Sequence, residues 1–260
     1  MHIAGKVIVV TGGASGIGSA LCKRFAREGA KGICVADVDE EAGTRVAKSI
    51  DGLFVRCDVG DESQVQRLIA ETEARFGPID LYCSNAGMAF RDGPAHVADN
   101  SNDAWTKAWQ VNLMAHVYAT RALLPAMLAR GSGHFLITAS AAGLLHQVGS
   151  AAYSVTKHGA VAFAESLAIS HKDHGIGVSL LCPQGVWTNM TRWVKKSPKG
   201  GDAMQNPEDV ADTVVKGLAE DRFLILSHPI TQDYMQNKAK DYDGWLNAMR
   251  RFSARLRAQS

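Results

Sequence analysis

The sequence predicts an open α/β domain, and three observations carry that prediction. Short apolar runs rich in β-branched residues alternate along the chain with longer stretches of helical periodicity. The first run, Val7 to Val10, passes directly into a glycine-rich turn, Thr11-Gly12-Gly13-Ala14-Ser15-Gly16-Ile17-Gly18, and then into a helical stretch. Later runs end on polar residues at Asp37, Asp58, Asn85 and Ser140. Polar groups at the carboxyl ends of strands lie where open α/β sheets bind ligands.

Whole-chain properties bound the function. The 260 residues suit a single α/β domain, and 46% hydrophobic content supports a sizeable core. A formal charge of +2 gives no electrostatic case for nucleic acid or a membrane surface. The five cysteines (Cys22, Cys34, Cys57, Cys83, Cys182) are odd in number, lack a C-x-x-C pair and fall in or beside predicted elements, so reduced core thiols are expected. The opening MHIAGKVIVV has no secretory pattern, and no apolar run approaches the ~20 residues of a membrane span. A soluble, cytoplasmic protein is expected. The histidines show no metal-ligand spacing, and no metal is expected.

Along the chain, each element follows from its neighbours. In the first turn, Gly12, Ser15, Gly16, Ile17 and Gly18 form a candidate phosphate cradle. Glycines let backbone approach a pyrophosphate, and the N-terminus of the helix expected from about Gly16 supplies N–H groups and positive dipole. The next strand, GICVAD, ends at Asp37, where a carboxylate accepts from both hydroxyls of an adenosine ribose and repels a 2′-phosphate. No Arg or Lys adjoins it, so the expected cofactor is NAD rather than NADP. A helix N-cap is the other role open to Asp37. LFVRCDV is the third strand, with Asp58 and Val59 at its adenine-side end, and IDLYCS is the fourth, closed by Asn85-Ala86-Gly87. A helix is expected from about Asp103 to Arg130, with Asn112 as a polar residue needing a partner in an apolar segment.

HFLIT is the fifth strand, with Ser140 past its end, and SAAYSVTKHGAVAFAESLAI is a helix. Tyr153 and Lys157 stand one turn apart on one helical face, which an ordinary amphipathic helix would also produce. A phenol, an ammonium and a hydroxyl brought together suit proton transfer at a carbonyl or alcohol oxygen. VSLLC is the sixth strand, followed by Pro183, Val186 and Thr188 in a turn. A specificity loop is expected over about 188–206, then a helix from Pro207 and a last strand FLILS. His146, Gln147, Trp187, Met190 and Trp193 are weak substrate candidates; plain packing explains the tryptophans equally well. A helical tail over about 232–260 includes an amphipathic segment carrying Tyr242, Trp245, Leu246, Met249, Phe252 and Leu256.

Taken together, TGGASGIG, Asp37, Asp58-Val59, Asn85-Ala86-Gly87, Asn112, Ser140, Tyr153-x-x-x-Lys157 and Pro183 through Thr188 resemble the short-chain dehydrogenase/reductase family, in its compact subgroup. The resemblance covers roughly Lys6 to Leu226. It implies a doubly wound Rossmann fold, a mostly parallel seven-stranded sheet with helices on both faces, in one domain over 1–260. It also implies hydride transfer between NAD(H) and a secondary alcohol or ketone. Tyr153 would be the general acid/base, with Lys157 and the positive nicotinamide together favouring its phenolate by Coulomb attraction. By resemblance, Lys157 also bonds the nicotinamide ribose, Ser140 holds the substrate oxygen, and Asn112 positions a water. Homodimers or homotetramers are implied, and the alanines of the Tyr153 helix are expected to aid self-association. A non-catalytic NAD sensor or scaffold is the alternative, and an epimerase or dehydratase of the extended subgroup is a third reading. Two departures stand out: Gln184 replaces the usual glycine after Pro183, and the tail exceeds the usual ending.

Overall fold

Seven strands form one parallel sheet in the order β3-β2-β1-β4-β5-β6-β7, and the chain winds outward from β1 in both directions. The computed structural model describes residues 1–93, 96–192, 194 and 199–257. The first half runs β1 (Val7–Thr11), α1 (Gly16–Arg27), β2 (Gly32–Asp37), α2 (Glu40–Ser49), β3 (Leu53–Arg56), α3 (Glu62–Phe76) and β4 (Leu81–Ser84). Next come α4 (Asn102–Trp109), a π-helical turn (Gln110–Met114), α5 (Ala115–Arg130), β5 (Gly133–Thr138), the short α6 (Ala141–Leu144) and α7 (Ala151–His171). The chain continues through β6 (Ile176–Leu181), α8 (Pro207–Ala219), β7 (Leu224–Ile225), α9 (Ile230–Lys240) and α10 (Tyr242–Arg257).

The near-continuous apolar strands are explained by burial on both faces. Successive side chains of a strand point to opposite sides. Val9, Ala36, Tyr82 and Phe135 therefore join one core with Leu68, Leu123, Met127 and Val161 of α3, α5 and α7. Their neighbours Ile8, Val35, Leu81 and Leu136 join the other with Leu21, Phe25, Val46 and Val214 of α1, α2 and α8. Full burial of a Val, Leu, Ile, Phe or Met side chain in these layers contributes about 1.5–3 kcal/mol. All five cysteines are buried free thiols within these layers.

Two expectations are corrected. The helix expected over about 103–130 is interrupted by the π turn at Gln110–Met114. The last strand is only Leu224–Ile225, because Ser227 and His228 turn away: Gln205 donates to the Ser227 carbonyl, and His228 Nε2 faces the Ala203 carbonyl. Of the α7 alanines, Ala152, Ala160 and Ala164 are buried in their own chain, Ala151 and Ala168 are partly exposed, and Ala162 faces outward with Val155 and Ile169. The expected helical tail is present as α9 and α10, and the segment carrying Tyr242, Trp245 and Leu246 is α10. The break falls at Asp241, whose carboxylate accepts from the Gly244 N–H and starts α10. Among the described residues no helix is long and apolar enough to cross a membrane.

Candidate active site

Beyond the carboxyl ends of the sheet lies a cleft of about 500 Å³. Its floor is laced together by Thr11. The Thr11 hydroxyl accepts from the N–H groups of Asn85 (2.9 Å) and Ala86 (3.1 Å) and donates to the Cys83 carbonyl (3.3 Å). Asn85 Nδ2 donates back to the Thr11 carbonyl at 3.0 Å, and Thr138 Oγ1 donates to Asn85 Oδ1 at 3.2 Å. The Asn-Ala-Gly turn is thereby tied to β1 and β5 together.

Sterics fix the glycine turn from within. Gly12 has φ +67°, and a Cβ there would lie 3.0 Å from Ala86 Cα. A Cβ on Gly18 would lie 2.1 Å from the Gly12 carbonyl oxygen, an impossible contact. Gly18 is consequently behind the turn rather than on the cleft wall, whereas Gly12, Ser15, Gly16 and Ile17 line it.

At one end of the cleft stands Asp37, whose Oδ2 accepts from Ala14 N (3.0 Å) and Oδ1 from Asp39 N (3.1 Å). The N-cap of α2 is Asp39, which accepts from Ala42 N, so Asp37 is not a cap. A carboxylate has about four acceptor positions, so two remain. Asp58 and Val59 also line the cleft. Asp58 pairs with Lys107 at 2.8 Å and accepts from Gly60 N at 2.9 Å. Burial pushes its pKa up, but those hydrogen bonds outweigh it and the net direction is down.

At the other end Ser140, Tyr153 and Lys157 meet. Ser140 caps α6, its Oγ accepting from Ala142 N at 3.1 Å, and donates to the Pro183 carbonyl at 3.4 Å. Lys157 is 2% exposed, and its Nζ donates to the Thr138 carbonyl at 2.8 Å and lies 5.7 Å from the Tyr153 ring centre. Burial lowers its pKa to about 8. The Tyr153 phenol is raised by burial, with the Ser140 hydroxyl acting in the opposite sense. In the chain by itself, desolvation outweighs the polar neighbours of the phenol.

Asn112 sits in the π turn, fully buried, one layer behind the cleft wall. Its Oδ1 accepts from Met88 N (2.9 Å), and its Nδ2 donates to the Met88 carbonyl (2.9 Å) and Thr156 Oγ1 (3.1 Å). A Cβ on Gly87 would lie 3.3 Å from Asn112 Oδ1 and 3.4 Å from Lys157 Nζ, so the three residues are neighbours.

Of the remaining candidates, Ala86, Gly87, Pro183, Val186, Thr188 and Met190 line the cleft. Trp187 instead walls a separate shallow depression with Ser19, Lys23 and Glu208. His146 and Gln147 are exposed and outside the lining. Trp193 and part of the expected loop over 188–206 lie outside the described residues. Sequence reasoning missed Lys107, Thr138 and Met88. Thr138 had a signal, as the last residue of a strand two before Ser140; Lys107 had none. Gln184 is accommodated without strain, since Asp51 and Asp221 are the only non-glycine residues with positive φ among those described. Its Nε2 donates to Thr231 Oγ1 at 2.8 Å.

A parallel doubly wound sheet with a glycine cradle, a strand-end carboxylate and a Ser/Tyr/Lys group defines a class of dinucleotide-dependent oxidoreductases. The family profile described as short chain dehydrogenase matches residues 6–199. The chain belongs to the short-chain dehydrogenase/reductase family. It is 38% identical over 236 residues to 1-deoxy-11-beta-hydroxypentalenate dehydrogenase of Streptomyces exfoliatus, covering 88% of this chain and 85% of that protein. It is 30% identical over 239 residues to borneol dehydrogenase of Lavandula x intermedia, covering 89% and 90%. A short chain dehydrogenase/reductase of Burkholderia phymatum in complex with NAD superimposes with a TM-score of 0.84 at 29% identity, covering 94% of this chain and 96% of that one.

Proposed function

We propose that the protein transfers a hydride between NAD(H) and a secondary alcohol or ketone. The observation that carries this reading is that Ser140, Tyr153 and Lys157 line the same cleft as the glycine turn and Asp37. The residues fit a dinucleotide: the cradle at Gly12 has no room for a side chain, and Asp37 keeps acceptor positions for ribose hydroxyls. Gly12, Ser15, Gly16 and Ile17 would hold the diphosphate, Asp58 and Val59 the adenine side, and Asn85, Ala86, Gly87, Pro183, Val186 and Thr188 the nicotinamide side. The basic residues lining the cleft are Lys107 and Lys157, and both already have partners, Asp58 and the Thr138 carbonyl. Among the described residues, that leaves no unpaired cation on the cleft lining for a 2′-phosphate beside Asp37, which favours NAD over NADP.

The bound nicotinamide supplies the hydride acceptor or donor; the chain manages the proton. Tyr153 takes the hydroxyl proton during oxidation and returns it during reduction. A phenolate in this buried place needs positive charge nearby, and the Lys157 ammonium, fixed by Thr138, is the residue that provides it. Ser140 orients the substrate oxygen. Asn112 holds the Met88 peptide on both sides and so keeps the wall beside Lys157 in place. The hydroxypentalenate and borneol dehydrogenases among the relatives support an alcohol as substrate. A pure NAD sensor would have no use for a clustered Ser, Tyr and Lys.

The outward residues Val155 and Ile169 of α7 favour self-association, which light scattering measures directly. The function itself is tested by following NADH absorbance with NAD and a panel of secondary alcohols, using Tyr153→Phe as control. Absence of NADH formation together with absence of NADH binding would defeat the reading.

A further inference from the structure

We propose that Lys238 of α9 is a positioning residue for the alcohol side of the site, acting through the segment that joins α6 to α7. This rests on the dehydrogenase reading above. The two departures from the family pattern turn out to be one structure. Gln184, in the turn after β6, bonds Thr231, which is fully buried in the first turn of α9. The same helix is fastened to the loop before α8, where Tyr234 donates to Asp202 at 2.8 Å and Gly201 packs on Ile230.

Its last turn reaches the catalytic serine's own segment. Lys238 Nζ donates to the carbonyls of Leu144 (3.0 Å) and Leu145 (3.2 Å). Those are the final carbonyls of α6, the four-residue helix that Ser140 caps at its other end. Terminal helix carbonyls lack intrahelical partners, and a lysine there satisfies them and complements the dipole. A four-residue helix has almost no stability of its own, so an external tie at each end decides its position.

The ammonium is itself held. Its Nζ lies 4.7 Å from the Trp245 ring centre and 5.5 Å from that of Tyr242, both on α10. Two aromatic faces and two carbonyls surround one half-buried cation, an arrangement that a solvated surface lysine does not need. Residues 146–149 then lead to Tyr153. Lys238 thus sets the path of the chain between Ser140 and Tyr153, the two residues of that stretch that line the cleft, and with it their placement toward an alcohol.

The test compares Lys238→Met, which keeps the apolar stem, with Lys238→Arg, which keeps the charge. Hydrogen exchange of residues 145–149 should rise about tenfold in Lys238→Met while the amides of α7 stay unchanged. KM for the alcohol should rise about fivefold, with kcat and NADH affinity held to about twofold, and Lys238→Arg should restore both readouts. If Lys238→Met fails to fold, Trp245→Leu should give a smaller rise in exchange over the same residues. Unchanged exchange at 145–149 would overturn the proposal, as would an unchanged KM in an enzyme that still turns over. If no alcohol is oxidised by the unaltered protein, the dehydrogenase reading fails, and the exchange measurement alone decides the role of Lys238.

Discussion

Lys157 Nζ is held by the carbonyl of Thr138 at 2.8 Å, two residues before Ser140 on the same stretch of chain. The exit of β5 therefore positions the ammonium through its backbone and the serine through its sequence. Because the acceptor is a carbonyl, the lysine's placement depends on its own length and shape. Lys157→Arg, with a wider planar head in a site 2% exposed, should fail nearly as badly as Lys157→Met. Both should lower kcat/KM by about 100-fold, measured as NADH formation. Near-normal activity in Lys157→Arg would mean that only charge matters.

Tyr153→Phe removes the hydroxyl while leaving the ring beside Lys157. Loss of a general acid/base costs about 10²–10⁴ in rate. We expect kcat to fall by that amount, with NADH affinity, read by fluorescence titration, changed less than about threefold. Ser140→Ala should fall less in kcat, but it also removes the cap of α6, so its thermal stability must be measured beside its activity. A helix cap is worth about 1 kcal/mol.

Asp37 separates two effects that a simple deletion would merge. Its Oδ2 supports the glycine turn through Ala14 N, and its charge faces the cleft. Asp37→Asn keeps an acceptor for Ala14 and removes the charge. The ratio of kcat/KM for NAD over NADP should drop at least about tenfold, through weaker ribose hydrogen bonds and lost repulsion of a 2′-phosphate. An unchanged ratio would remove Asp37 from cofactor selection.

Gln184→Gly restores the family's residue and should nevertheless destabilise this chain. The substitution removes the bond to Thr231 and leaves a buried hydroxyl without that partner. A lost hydrogen bond of this kind costs about 1 kcal/mol, and the added glycine freedom about 0.5–1 kcal/mol more. Urea unfolding at constant m-value would show it. A stabilised variant would mean that the turn after β6 is strained by glutamine.

How much was legible in the sequence follows from the range of each interaction. The β1 turn and the Tyr153/Lys157 face are local patterns, where spacing alone puts groups on one strand end or one helix face. The Lys107–Asp58 pair joins residues 49 positions apart, so no spacing rule reaches it. The π turn was hidden because apolar periodicity runs on through Gln110–Met114; only the buried Asn112 hinted at a local rearrangement. Small residues permit close packing against a sheet as well as against another helix, so the α7 alanines divide between a buried face (Ala152, Ala160, Ala164) and an outward one (Ala162). Asp37 looked like a possible cap until Asp39 took that role.

Acid should weaken the fold before its carboxylates titrate. His116 and His134 are buried, at 1% and 3% exposure. His116 Nδ1 lies 2.6 Å from Ser84 Oγ, and His134 Nε2 lies 3.0 Å from Ser179 Oγ. Burial lowers their pKa values to about 3 and about 4; the Lys157 charge also lowers that of His116. Both folded values lie below the unfolded value of 6.5, so the unfolded chain binds more protons as pH falls. The stability these neutral rings contribute is fully present above that value and is lost as pH drops through the folded ones. Between about pH 7 and about pH 4.5, each histidine should account for roughly 2 kcal/mol of lost stability. His134→Leu should remove its share of that loss; Ser179 keeps a partner in the Arg222 carbonyl, at 2.7 Å. Urea midpoints at the two pH values decide the matter: equal losses in the variant and the unaltered chain would show that His134 is not responsible.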